Sequence, residues 1–61
     1  MGDYEICVKE IETYIIHCAK SKTDAIKQAI DCFKDDDMYY GSEETENVTE
    51  NDCEVIWFEG Y

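Results

Sequence analysis

Four thiols, one imidazole and sixteen carboxylates are the side chains of this sequence best suited to catalysis or metal binding. The thiols are Cys7, Cys18, Cys32 and Cys53. No pair has the C-x-x-C spacing that lets one turn of backbone present two thiolates to a zinc ion. Disulfides are rare in a reducing cytosol, so the four read as small apolar packing residues. His17 stands beside Cys18, which invites a thiol nucleophile with its base. Both lie in a run of strand character, however, and adjacent strand side chains point to opposite faces. His17 is therefore expected in packing or at a sheet edge. Asp35-Asp36-Asp37 lacks the alternating oxygen ligands, the glycine and the closing glutamate of a calcium loop. Glycine occurs only at 2, 41 and 60, too sparsely for a phosphate-binding loop. The reading assigns no catalytic, cofactor-binding or metal residue, and the chain is expected not to be an enzyme.

Charge is the stronger signal. The formal net charge is −11, and it is unevenly placed. All five lysines (Lys9, Lys20, Lys22, Lys27, Lys34) lie in the first 34 residues beside six acids. Residues 35–61 hold ten acids and no base: Asp35, Asp36, Asp37, Glu43, Glu44, Glu46, Glu50, Asp52, Glu54 and Glu59. Such a half repels nucleic acid and anionic membranes and attracts basic surfaces within a Debye length, about 8 Å at physiological salt.

The elements that must carry these groups follow from periodicity. Residues 4–10 alternate, with Tyr4, Ile6 and Val8 on one face and Glu5, Cys7 and Lys9 on the other. Thr13 to Ala19 is β-branched and aromatic and pairs back through a short turn near Ile11-Glu12, giving a hairpin over 4–19. That turn has no Gly, Asn or Pro, which leaves the register open. Ser21 caps a helix over 21–34, with Asp24 in the manner of a capping box. Its apolar stripe is Ala25, Ile26, Ala29, Ile30 and Phe33. Residues 35–51 form an acidic segment, in which Met38-Tyr39-Tyr40 makes a short strand or packs on the helix end and 41–51 is a loop. The last strand is 52–59, with Cys53, Val55 and Trp57 on one face and Ile56 and Phe58 on the other. The fold class is α+β: one small domain, β-β-α-β, with one helix on a three-stranded antiparallel sheet. One helix covers one face. The second face then exposes some of Cys7, Tyr14, Ile16, Ile56 and Phe58, which implies a dimer or a partner.

The run Ala19-Lys20-Ser21-Lys22-Thr23-Asp24-Ala25-Ile26, behind Val8-Lys9-Glu10 and a second strand, resembles the strand-to-helix junction of the DpnD/PcfM-like domain of mobile elements over residues 4–34. The acidic segment has no counterpart in that pattern. The whole chain is similar in type to small acidic phage-encoded inhibitors of the anti-CRISPR and anti-restriction kind. That resemblance implies a non-enzymatic inhibitor that mimics nucleic acid and occupies a basic nucleic-acid-binding surface of a host defence complex. Asp35, Asp36, Asp37, Tyr39, Tyr40, Glu43, Glu44, Glu46, Glu50, Asp52 and Glu54 are the expected contacts, without direct nucleic-acid or membrane binding. The alternative is a homodimeric accessory protein whose charge serves solubility. No membrane span or secretory leader is evident, and the expected location is the cytoplasm.

Overall fold

The computed structural model describes residues 1–35 and 47–61. Strand β1 (Gly2–Val8) is followed by β2 (Glu12–Ala19), helix α1 (Lys22–Asp35), a single 3-10 turn (Glu50–Asp52) and β3 (Cys53–Gly60). The sheet order is β2-β1-β3 with both pairings antiparallel, so the α+β, β-β-α-β architecture is as the periodicity requires.

Strand β1 is central, and its alternation sets the layers. Tyr4, Ile6 and Val8 are buried beneath α1; Asp3, Glu5 and Cys7 face the other way and are half-buried. Lys9 and Glu10 turn the chain at φ 54° and 58°, and the Ile11 amide donates to the Val8 carbonyl at 3.0 Å. Two central residues at positive φ match the right-handed twist of the flanking strands, although glycine or asparagine would adopt them at lower cost. The Lys9 amide donates to the Asp52 carbonyl at 2.7 Å, tying this turn to the entrance of β3.

Ser21 caps α1: its hydroxyl accepts the Asp24 amide at 3.1 Å and its carbonyl the Ala25 amide at 3.0 Å. The Asp24 carboxylate accepts the Lys20 amide at 2.9 Å, one residue ahead of the cap. Ala25, Ile26, Ala29 and Phe33 are buried against β1 and β2, and Ile30 is half-buried at the rim. Small residues at 25 and 29 let the helix approach the sheet closely, while Lys22, Lys27, Gln28 and Asp31 are exposed.

Several expectations need correction. The first strand begins at Gly2 and ends at Val8; Lys9 and Glu10 belong to the turn. The stretch before β3 is more than a wet loop. Val48 is buried in the core, and Thr49 and Asp52 cap the 3-10 turn, with the Thr49 amide donating to Asp52 Oδ2 at 2.9 Å. Tyr14 and Ile16 do not belong to the uncovered face: they pair with Ile6 and Tyr4 on the helix side. Cys7 and Cys53 are half-buried and Cys53 packs on the core, but Cys18 and Cys32 are exposed rather than core residues. The Met38–Tyr40 expectation lies outside the described residues.

Candidate functional site

Two bulges decide what the uncovered face of the sheet presents. On β2 the register runs from Gly2 opposite Ala19 to Tyr4 opposite Ile16, so His17 and Cys18 together oppose Asp3. The extra residue is accommodated by Cys18 at φ 58°, the left-handed conformation a bulge ordinarily gives to glycine. On β3 the register passes from Ile6 opposite Val55 to Glu5 opposite Trp57, leaving Ile56 without a counterpart. The alternation of β3 is thereby reversed past Ile56. Trp57 comes to the uncovered face beside Glu5, and Phe58 goes to the helix side, where its ring lies 4.7 Å from that of Tyr4. Both placements are the opposite of those an unbroken strand gives.

Three cross-strand rows make up this face. Ile15, Glu5 and Trp57 form the middle row; Thr13, Cys7 and Glu54 lie on one side of it. His17 with Cys18, Asp3 and Glu59 lie on the other. Ile15 is 60% exposed and Trp57 46%. The carboxylates are Asp3, Glu5, Glu54 and Glu59, and no strand position of the face carries a lysine. Directly opposite side chains in such a sheet lie about 5 Å apart at Cβ. Alternate residues along a strand lie about 6.7 Å apart. The acids therefore make a lattice around an apolar centre. Four lysines sit elsewhere, at 20, 22, 27 and 34, on α1 and the residues leading into it.

Asp3 is the fixed point of this lattice. Its Oδ1 accepts the Cys18 amide at 3.0 Å and the Tyr61 hydroxyl at 2.9 Å, and its Oδ2 lies 3.2 Å from His17 Nδ1. The Cys18 amide, the Tyr61 hydroxyl and His17 all favour the ionised carboxylate, and Asp3 titrates below the usual aspartate range. The Cys18 thiol, 2.9 Å from the Tyr61 hydroxyl, and the Asp3 carboxylate push the Tyr61 phenol well above its usual range. A further bond, from the Tyr61 amide to the Met1 carbonyl at 2.9 Å, closes the end of β3 onto the start of β1.

At this bulge His17 reaches Asp3 through its imidazole and Cys18 through its backbone amide, while the Cys18 thiol meets the Tyr61 hydroxyl. His17 and Cys18 make no nucleophilic pair, since no hydrogen bond joins imidazole to thiol among the described residues. The histidine has its orienting carboxylate, but the thiol meets a phenol, so base and nucleophile remain unconnected. No group of three or more His, Cys, Asp or Glu suited to a metal occurs among the described residues. An open groove of about 550 Å³ beside the β1–β2 turn is lined by Cys7, Lys9, Asp52 and Cys53 among others. Burial, then the nearby Asp52, pushes the Cys53 thiol up, which leaves it less reactive.

Of the expected contact residues, Asp35, Glu50 and Glu54 are exposed. Asp52 is half-buried and its carboxylate is engaged by Thr49. Asp36, Asp37, Tyr39, Tyr40, Glu43, Glu44 and Glu46 lie outside the described residues. The uncovered face also carries Asp3, Glu5, Ile15, Trp57 and Glu59, which are not among the expected contacts. Glu5 was legible as an outward strand residue, whereas Trp57 depends on a bulge that no glycine announces. No helix among the described residues is long and apolar enough to cross a membrane. Comparison with protein-family models, curated proteins and solved structures finds no match to this chain.

Proposed function

We propose that this protein is a non-enzymatic acidic inhibitor whose uncovered sheet face occupies a basic nucleic-acid-binding surface of a host defence complex, such as a CRISPR effector. The observation that carries this reading is the segregation of charge. Asp3, Glu5, Glu54 and Glu59 share a face with exposed Trp57 and Ile15, and no strand position of that face carries a lysine; Lys9 lies at its end in the β1–β2 turn, and the other four lysines lie on or beside α1. Surfaces that bind a duplex are lined with Lys and Arg to meet one phosphate per about 1.7 Å of axis. Carboxylate and phosphate are bound by the same guanidinium fork. Asp35 and Glu50 are exposed as well and add to the net negative charge. Steering by such a field raises the association rate, and salt suppresses it.

The test is competition. Purified CRISPR effector–guide complexes are titrated with the protein while binding of target duplex is followed. Inhibition should fall as salt rises. It should fall again when Glu5, Glu54 and Glu59 are changed together to Gln, mainly through the association rate, and it should be indifferent to Lys22→Gln with Lys27→Gln. Inhibition indifferent to the three glutamates at physiological salt would sink the reading.

A second reading, a homodimeric accessory protein, is favoured by one observation. Edge strand β3 carries Ile56 and Phe58, each about half exposed. Light scattering selects it if the mass doubles from 7.1 kDa, strengthens with salt and is lost in Ile56→Lys.

A further inference from the structure

Resting on the acidic-inhibitor reading, we infer that the middle row of the uncovered face is a seat for an arginine side chain of the partner, with Trp57 as its floor and Glu5 and Glu59 as its carboxylates. Trp57 is directly opposite Glu5 and two residues from Glu59 on its own strand, so both acids are its register neighbours on this face. Trp57 is 46% exposed on an edge strand, open to a group arriving from solvent. Asp3 is committed to Cys18, Tyr61 and His17, so it holds the sheet rather than the ligand. The carboxylates of Glu5 and Glu59 make no hydrogen bond or ion pair among the described residues.

A planar cation fits this arrangement better than a compact one. Guanidinium stacks on an indole face and still presents N–H groups in its own plane to flanking carboxylates. An ammonium is a strongly hydrated point charge that gains little from the ring in addition to the acids. The seat therefore distinguishes arginine from lysine, which charge alone does not. Ile15, across Glu5 from the indole, adds an apolar wall against which the methylene stem of the arginine packs.

Trp57 is the only tryptophan, so its emission reports this one place. Hexa-arginine and hexa-lysine peptides are titrated at physiological salt, by fluorescence and by calorimetry. Hexa-arginine should bind about two- to fivefold tighter, the worth of an exposed cation–π contact, and should alone shift the Trp57 emission. Trp57→Leu, followed by calorimetry with circular dichroism as the control for folding, should abolish the preference while both peptides still bind. Glu5→Gln should weaken hexa-arginine more than hexa-lysine. Equal, salt-sensitive binding of both peptides with unchanged emission would overturn the arginine seat and leave the acidic-face reading standing. Binding of neither peptide would overturn both. A preference that survives Trp57→Leu in a folded protein would also overturn the seat.

Discussion

The β2 bulge is the feature on which the uncovered face depends, and Cys18 gives a clean way to perturb it. Its φ of 58° places a non-glycine residue in the left-handed region, where the Cβ of an L-residue costs about 1–2 kcal/mol. Replacing Cys18 by Gly removes that cost, but adds about 0.5–1 kcal/mol of unfolded-chain freedom. It also removes the 2.9 Å contact between thiol and Tyr61 hydroxyl. These effects nearly cancel, and Cys18→Gly should shift stability by less than about 1 kcal/mol. Cys18→Val loses the same sulfur contact and puts a β-branched side chain where one is a true outlier, so it should be less stable than the glycine variant by about 2 kcal/mol. Cys18→Ala belongs between the two. The comparison of Gly with Val holds the lost sulfur constant and isolates the backbone. Urea denaturation followed by circular dichroism measures it. Equal midpoints for Gly and Val would mean that residue 18 is not in the left-handed conformation. The bulge, the Asp3 hub and the pairing of His17 with Cys18 against one residue would then fall together.

Phe33 is fully buried where α1 meets the sheet, and Phe33→Ala should cost about 3–5 kcal/mol. That is comparable with the whole stability of about 3–5 kcal/mol that a domain of this size holds, so the variant should show no cooperative melting transition. A folded state with lowered Asp3 pKa is stabilised by this group above the unfolded value of 3.8 and loses that contribution as pH falls through the lower, folded value. Asp3→Asn should therefore flatten the acid limb of a stability-versus-pH curve. Tyr61 has the opposite sign: its raised pKa stabilises below the unfolded value of 10.0, and the contribution is lost as pH climbs through the folded one. Tyr61→Phe should remove that alkaline limb. A Cβ added at Gly2 would come within 2.6 Å of the Phe58 ring and 3.1 Å of the Glu59 carbonyl. Gly2→Ala should displace the ring from Tyr4, read as lost ring-current shifts in the proton spectrum of Tyr4.

What the chain declares locally, the structure repeats. Alternation in Tyr4, Ile6 and Val8 and the helical stripe of Ala25, Ile26, Ala29 and Phe33 are direct consequences of burying one side of each element. Ser21 and Asp24 mark the helix start for the same kind of reason, since orphan amides need acceptors within a turn. The candidate site was much less legible. A period-two reading holds only until one residue is inserted, after which every later side chain changes face. Ile56 is such an insertion, and it exchanges Trp57 with Phe58. Neither bulge carries a glycine, so nothing in the residue types announces it. Asp3 is equally silent, because its worth comes from Cys18, His17 and Tyr61, which lie 14 to 58 positions away.

The two bulges also explain how a chain this acidic holds a flat array of carboxylates at all. Like charges on neighbouring strands repel and self-repulsion weakens a compact state. On this face the worst placed pair is Asp3 opposite Glu59. The β2 bulge relieves it: doubling the residues opposite Asp3 gives its carboxylate an amide, and brings a histidine within reach. Tyr61, at the end of β3, adds a hydroxyl. The β3 bulge relieves the middle row by setting an indole, rather than a second acid, opposite Glu5. The remaining free carboxylates, Glu5, Glu54 and Glu59, are separated by Trp57 and Cys7 rather than adjacent to one another. Their repulsion is diluted in the free protein and available to any cation that settles among them. On the proposed reading such an array meets a partner's charges, and Trp57 at its centre is the feature that solubility alone does not call for.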